Sequence, residues 1–158
     1  MAVKTMGLYY EDFEIGQVFV SQARTITESD VVQFTGLSGD FNPLHTDEEF
    51  AKNTPFGTRI AHGALGFSIM TGLMDRLGVF SGTAIAFLGI DNWSFPKPIF
   101  IGDTIYFEMK ITNKRPTSKG GRGIIFREIT VFNQNKEIVQ KGQMNIMVKC
   151  RETELINR

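Results

Sequence analysis

The sequence predicts an α+β protein in which an antiparallel sheet of about five strands wraps around one central apolar helix. The helix is indicated by residues 60–73, the longest apolar stretch of the chain, which contains three glycines. The sheet is indicated by four strand-like segments that follow residue 83 and are separated by turn residues. Because these connections are short, consecutive strands are expected to run antiparallel.

The length and charge of the chain limit what it can be. Its 158 residues suffice for one domain with a real core, and we assign residues 1–158 to a single domain. Seventeen basic residues balance seventeen acidic ones, so the strong basic field that nonspecific nucleic-acid binding needs is missing. The apolar stretch at 60–73 is too short and too interrupted to span a bilayer. We therefore expect neither nucleic acid nor a membrane as a partner.

The cysteine content bears on the compartment. Cys150 is the only cysteine and cannot form an internal disulfide. Together with the lack of a signal-peptide pattern, this predicts a cytoplasmic location.

The first third of the chain is expected to form an arm, a strand and a helix. Residues 1–14 look irregular, and residues 17–25 suit a strand because they carry valine and threonine. Thr27 supplies a hydroxyl N-cap for a helix that Gly39 allows to end. The aromatic residues that could pin the arm to the body are Tyr9, Tyr10 and Phe13.

Two short helical segments are predicted next. Asn42 caps the first, and Pro43 occupies its first turn, where proline is tolerated. Thr46 and Glu49 have the spacing of a capping box for the second. His45 therefore falls at a junction between two short elements.

The remainder is one helix and four strands. The helix is expected from His62 to about Leu77, and its glycines imply close packing, since a helix-interior glycine is otherwise unfavourable. Residues 150–158 form a C-terminal tail. A sheet this small leaves an edge open, so a homodimer or larger homo-oligomer is expected. The strands are predicted over Ala84–Phe95, Thr104–Asn113, Gly123–Phe132 and Ile138–Lys149.

The segment with the clearest chemical content is residues 34–45, Phe-Thr-Gly-Leu-Ser-Gly-Asp-Phe-Asn-Pro-Leu-His. Chemistry that moves a proton to or from water needs a base and an acid, and an oxygen that gains charge needs hydrogen-bond donors. Histidine changes charge near neutral pH, and an aspartate can orient it or share its water. Asp40 and His45 are five residues apart, which does not place them on one face of a straight helix. Breaks at Gly39 and Pro43 would let both side chains converge on one water.

This segment resembles the signature of the MaoC-like (R)-specific enoyl-CoA hydratases, with Asp40, Asn42, Pro43 and His45 at the matching positions. Residues 60–63, Ile-Ala-His-Gly, resemble the start of that family's central helix. Residues 95–103, from Phe95 to Asp103, resemble its proline-marked strand and turn. The three matches occur in the family order.

The resemblance implies a hot-dog fold and a hydro-lyase that interconverts trans-2-enoyl-CoA and (R)-3-hydroxyacyl-CoA without cofactor or metal. It implies that Asp40 and His45 activate one water and that the N–H of Gly63 binds the thioester carbonyl. Asn42 would orient the loop or the water, and Thr71 would supply a hydroxyl to the same network. The substrate would be a thioester of coenzyme A or of acyl carrier protein.

Other interpretations of these residues remain open. Taken alone, Asp40 and Asn42 are more often turn and cap residues, and His62 is expected to brace the helix start. A dehydratase for a branched or dicarboxylic acyl-CoA, of the methylmalyl, itaconyl or mesaconyl type, would need a cation in its pocket, and Arg59 is the first candidate. A non-enzymatic acyl-thioester binder or regulatory protein would not need both Asp40 and His45. Three cations could contact the phosphates of coenzyme A or of acyl carrier protein: Lys97, Lys119 and Arg122. For each of them, a position in a solvated turn is the preferred interpretation.

Overall fold

A computed structural model describes residues 7–151. Its strands form a six-stranded antiparallel sheet in the order β1-β4-β5-β6-β3, with β2 also paired to β4. The helices are α1 (Glu28–Ser38), α2 (Pro43–Thr46), α3 (Glu48–Ala51) and α4 (Gly63–Arg76). The strands are β1 (Val18–Val20), β2 (Arg24–Thr25), β3 (Ala84–Ser94), β4 (Thr104–Pro116), β5 (Arg122–Phe132) and β6 (Ile138–Lys149).

The central helix packs against the inner face of the sheet. One side of α4 is buried, and the inward residues of β4 and β5 complete the same cluster. The predicted α+β class and hot-dog arrangement are therefore confirmed, as is the position of the long helix to within one residue of its predicted end. The helix residues in this core are Leu65, Ile69, Met70, Leu73 and Met74.

The prediction of one continuous strand over residues 17–25 is wrong, because these residues form two short strands, β1 and β2. Ser21 lies between them and takes over the pairing with β4. Its backbone N–H donates to the Phe107 carbonyl, and its Oγ accepts from the Phe107 N–H, both at 2.9 Å. A side-chain oxygen thus replaces a backbone carbonyl in the ladder, which interrupts the regular strand and gives six strands instead of about five.

The helix caps follow the sequence in two places and depart from it in one. Thr27 and Asp30 form a reciprocal capping box on α1. Asn42 caps α2 by accepting from the Leu44 N–H at 3.0 Å. The predicted capping box of Thr46 and Glu49 is wrong, because Asp47 caps α3 by accepting from the Phe50 N–H at 3.0 Å. A carboxylate is as good an N-cap as a hydroxyl, and it lies directly before the helix.

The described part of the N-terminal arm is held by aromatic packing, as expected. Phe13 is fully buried and stacks on Phe80 with ring centroids 5.5 Å apart. Tyr9 is also buried. Residues 1–6 and 152–158, the rest of the arm and most of the predicted tail, lie outside the described residues. Between residues 7 and 151, no helix is both long and apolar enough to cross a membrane.

Candidate active site

The polar residues of the 34–45 segment meet the start of α4 because the chain turns twice. Gly39 ends α1 in the left-handed conformation, with φ +75°, which glycine adopts without strain. Proline at the first turn of α2 then redirects the chain. As a result, Asp40, His45 and His62 have polar atoms that all lie within 4.8 Å of one another. The sequence predicted the convergence of Asp40 and His45 but not the addition of His62.

The tautomer of His45 follows from one hydrogen bond. Its Nδ1 lies 2.7 Å from the backbone carbonyl of Ile60. Because a carbonyl oxygen only accepts, Nδ1 carries the hydrogen in this contact, and Nε2 of the neutral ring is left with a free lone pair. The ring is half-buried. His45 is thus held with Nδ1 on the Ile60 carbonyl, in a cluster whose Asp40, His45 and His62 polar atoms lie within 4.8 Å of one another.

His62 braces the segment that carries the two predicted catalytic residues. Its Nε2 lies 3.1 Å from the backbone carbonyl of Asp40 and 3.4 Å from Thr35 Oγ1. Its ring stacks on the His45 ring with centroids 3.8 Å apart. The sequence predicted that His62 braces the start of α4; it is the N-cap residue there, but its side chain makes no capping hydrogen bond. It fixes Asp40 and His45 instead.

A cavity of about 470 Å³ opens beside His45 and the N-terminus of α4. Gly63 lies in its wall, where a Cβ would be only 2.8 Å from the Phe95 ring. Gln140 lies there too, is 1 % exposed, and donates from Nε2 to the Gly63 carbonyl at 3.0 Å. Its Oε1 has no partner among the described residues. Sequence reasoning missed Gln140, because a glutamine inside a strand carries no motif.

Asp40 and Asn42 are exposed and do not line this cavity themselves. Asp40 Oδ1 accepts from the Asn42 N–H at 3.2 Å. The Asn42 side-chain oxygen is already used to cap α2. These contacts suit the loop-orienting role that the sequence gave as one option for Asn42.

Thr71 lies elsewhere in the single chain. It is eight residues beyond Gly63, roughly 12 Å along the helix axis, and its hydroxyl donates to the Ser68 carbonyl at 2.7 Å. It lines a second cavity of about 310 Å³ near the opposite end of α4. The structure therefore does not bring Thr71 to the cavity that His45 lines.

The cluster of Asp40, His45 and His62 has the residue types of a metal site, which the sequence analysis did not expect. The two rings, however, are stacked with only 29° between their planes. Imidazole binds a metal along a lone pair in its own plane at about 2.0–2.1 Å. Nearly parallel rings cannot both meet that condition for one ion, so joint coordination would require the stack to open.

Two of the four cations suggested for ligand binding, Arg59 and Lys97, are paired. Arg59 donates to both oxygens of Glu28, at 2.7 and 2.9 Å, and to Glu48 at 3.0 Å. Its hydrogen bonds hold the pKa of the Glu28 carboxyl below its usual range. Lys97 lines the first cavity but pairs with Glu137 at 2.6 Å. Arg59 does not line that cavity, so it does not mark a substrate carboxylate there.

Comparison with known proteins gives consistent matches. The family described as MaoC like domain matches residues 12–131. An (R)-specific enoyl-CoA hydratase from Rhodospirillum rubrum is 34 % identical over 143 residues, covering 90 % of this chain and 93 % of that protein. A 3-hydroxybutyryl-CoA dehydratase from Methylorubrum extorquens is 33 % identical, covering 73 % and 71 % respectively.

A solved structure of similar length is that of a monoamine oxidase regulatory protein from Archaeoglobus fulgius. It has a TM-score of 0.85 and 36 % identity, and the match covers 91 % of this chain and 95 % of that one. The match to the family extends over the α1–α2 segment, the central helix and most of the sheet. The chain therefore belongs to the MaoC-like family and is an enzyme of the hydro-lyase class.

Proposed function

We propose that this enzyme catalyses (R)-specific hydration of trans-2-enoyl-CoA to (R)-3-hydroxyacyl-CoA, or the reverse dehydration, with one water activated by Asp40 and His45. The observation that carries the proposal is the hydrogen bond from His45 Nδ1 to the Ile60 carbonyl at 2.7 Å. It leaves Nε2 as the acceptor nitrogen when the ring is neutral, in a residue whose polar atoms cluster with those of Asp40 within 4.8 Å. A water held between these two acceptors can be deprotonated by either one.

The steps of the reaction balance without an oxidant or reductant. Asp40 or His45 removes a proton from the water, and the water oxygen forms a bond to C3 of the substrate. The C2–C3 π electrons move toward the thioester carbonyl, whose oxygen becomes enolate-like. The proton is then returned to C2 as the carbonyl re-forms. None of these proposed steps uses a cofactor or a metal.

Gly63 is the proposed donor to the enolate oxygen. Its backbone N–H donates to no group within residues 7–151, and it lies at the N-terminus of a 14-residue helix. That end of the helix favours negative charge. A Cβ at Gly63 would lie 2.8 Å from the Phe95 ring, so any larger residue here would displace that ring at the cavity wall.

The proposed partners are an acyl-CoA, or the same acyl group on acyl carrier protein, and a second copy of the chain. Strand β3 is an edge of the sheet, and four of its apolar side chains are more than 40 % exposed. Pairing of two such edges would cover both. The proposed location is the cytoplasm, which agrees with a single cysteine that cannot form an internal disulfide. The exposed residues are Ile85, Phe87, Leu88 and Ile90.

The test is hydration of crotonyl-CoA, followed as loss of enoyl absorbance, with chiral analysis of the product. Asp40→Asn and His45→Ala should each lower kcat by about 10²–10⁴-fold, the usual contribution of a positioned acid or base. Asp47→Asn is the matched control, because asparagine also caps α3 and Asp47 lies outside the cluster.

Unchanged rates in both site variants would contradict the assignment of Asp40 and His45. Formation of the (S) product would contradict the stereochemistry. Binding of acyl-CoA thioesters without turnover across a panel of chain lengths would favour the non-enzymatic binder.

A further inference from the structure

Arg127 occupies a position that the pattern of its strand gives to an apolar residue. Along β5 the inward residues alternate as Ile125, Arg127, Ile129 and Val131, and the three apolar ones are fully buried. Arg127 itself is 1 % exposed. It also separates two apolar clusters, since Ile125 belongs to one and Ile129 to the other. A charged side chain here is unfavourable for folding alone and needs another reason.

The guanidinium of Arg127 has only weak or uncharged partners. Its Nε donates to the Met144 carbonyl at 3.3 Å, and Nη1 points at the sulfurs of Met74 and Met109, at 2.8 and 3.7 Å. The Phe80 ring lies 4.8 Å from the guanidinium carbon. A thioether is a weak acceptor, and Nη2 makes no hydrogen bond within residues 7–151.

No carboxylate among the described residues pairs with this cation. Asp75 lines the same cavity, but no ion pair within 4.0 Å joins it to Arg127. Burial lowers the pKa of the Arg127 guanidinium to about 10, which still leaves it charged at neutral pH. A buried charge without a counter-charge is strongly unfavourable. An anion bound in the cavity would remove that penalty.

The second cavity, about 310 Å³, presents this cation in an otherwise mainly apolar wall. Its walls come from α4, from β3 and β6, and from the turn that carries Phe80. A guanidinium matches a carboxylate with two parallel hydrogen bonds, and the apolar wall suits an alkyl chain. The chemistry that fits is therefore a carboxylate at the end of an aliphatic chain.

We propose that the Arg127 cavity binds the terminal carboxylate of the acyl chain, so that the preferred substrates are thioesters of dicarboxylic acids. This substrate class rests on the proposed hydration at Asp40 and His45. Both cavities border α4 and β6: the first at Gly63 and Gln140, the second at Thr71 and Met144. The roughly 12 Å between Gly63 and Thr71 along the helix is a span that an acyl chain of medium length covers.

The substrate test compares trans-2-enoyl-CoA thioesters in pairs of equal chain length, with and without a terminal carboxylate, from five carbons to medium length. In the wild type, kcat/KM for the carboxylate member should exceed that of its partner by about tenfold or more at one or more lengths, as a charge-assisted bidentate pair provides. Arg127→Met should abolish this ratio while crotonyl-CoA is still hydrated. Equal ratios in wild type and variant at every length would overturn the proposal.

A binding test separates this proposal from the proposed function. Hexanoate should raise the Tm of the wild type more than hexan-1-ol does, because only hexanoate offers a carboxylate to Arg127. In Arg127→Met the two ligands should have equal effects. Stabilisation by hexanoate that needs Arg127, without turnover of any enoyl-CoA, would keep the cavity assignment and overturn the hydration. If crotonyl-CoA is hydrated but replacing Arg127 changes neither the substrate preference nor the ligand-induced rise in Tm, the hydration stands and the cavity assignment is overturned.

The fold of the variant is itself informative. Replacing an unpaired buried charge with an apolar side chain of similar length is expected to raise Tm, whereas a purely structural arginine would lower it when removed. If Arg127→Met does not fold, Arg127→Lys keeps the charge but loses the two-pronged geometry. The lysine variant should then retain crotonyl-CoA hydration and lose most of the preference for the carboxylate substrate. Full retention of that preference would overturn the bidentate contact.

Discussion

The imidazole rings of His45 and His62 stack face to face, with centroids 3.8 Å apart and 29° between their planes. His62 also reaches the Asp40 backbone carbonyl through Nε2 at 3.1 Å. One buried ring therefore touches both residues that are proposed to activate the water. His62 also lines the first cavity, and we infer that its role is to position its two neighbours.

We predict that His62→Phe lowers kcat on the order of tenfold while changing KM little. Phenylalanine keeps the stacking on His45 but cannot donate to the Asp40 carbonyl, and small displacements of catalytic groups carry large rate penalties. Steady-state hydration of crotonyl-CoA checks this. His62→Gln, which keeps a donor, should recover part of the loss. If His62→Phe has the same kcat as the wild type, the hydrogen bond from His62 to the Asp40 carbonyl does not position the catalytic groups.

The sequence predicted the elements that depend on local rules. Asn42 and Pro43 were placed correctly because a cap and a first-turn proline need only their neighbours. The capping box at Thr46 failed because the competing cap, Asp47, lies one residue away and satisfies the same local rule. Strand β1 stopped early because Ser21 pairs with Phe107, a contact 86 residues distant that no window of sequence contains.

The same distinction applies to the site. Asp40 and His45 could be found because they share one segment, whereas His62 joins them across 22 residues. Gln140 carried no signal at all. Arg127 did carry a sequence signal, because an arginine between Ile125 and Ile129 interrupts a row of apolar residues on one face of β5. Only the folded sheet shows that this face is the buried one. Alternation along a strand shows which residues share a face, but the packing of the sheet decides which face is buried.

Glycines of the central helix should respond differently to alanine. Gly63→Ala places a Cβ 2.8 Å from the Phe95 ring at the wall of the first cavity, so we expect crotonyl-CoA hydration to fall about tenfold or more. Gly72→Ala is the matched control, because a Cβ there meets nothing within 4 Å. It should stabilise the helix by up to about 1 kcal/mol and leave the rate unchanged. Thermal melts and initial rates of both variants give the comparison, and equal behaviour would contradict a special role for Gly63.

The ion pairs of Arg59 should make part of the stability depend on pH. The pKa of Glu28 is lowered in the folded chain, chiefly by its hydrogen bond to Arg59, from a usual value of 4.5. The folded state therefore holds fewer protons at this group than the unfolded state. Its stabilising contribution is complete above that value and is lost as the pH falls through the lower folded pKa.

Arg59→Met should accordingly lower Tm at neutral pH, and the difference from wild type should narrow below about pH 4.5. Thermal melts across this range provide the measurement, and added salt should narrow the difference at neutral pH as well, because exposed pairs are screened. Lys97→Met, which removes a single exposed pair with Glu137, serves as the control for loss of a surface cation. A difference from wild type that stays constant with pH would mean that Arg59 stabilises through packing alone.

The two edges of the sheet offer unequal surfaces for a second copy of the chain. Strand β3 has 11 residues and exposes Leu88 and Ile90 at 44 % and 43 %, whereas β1 has three residues. A longer edge gives more backbone pairs and buries more apolar area. We therefore predict that Leu88→Glu/Ile90→Glu converts a dimer into a 17.8 kDa monomer, measured by light scattering after size exclusion. Val20→Glu, at the β1 edge and 55 % exposed in the wild type, should leave the dimer intact, and dissociation by that variant alone would place the interface at the opposite edge.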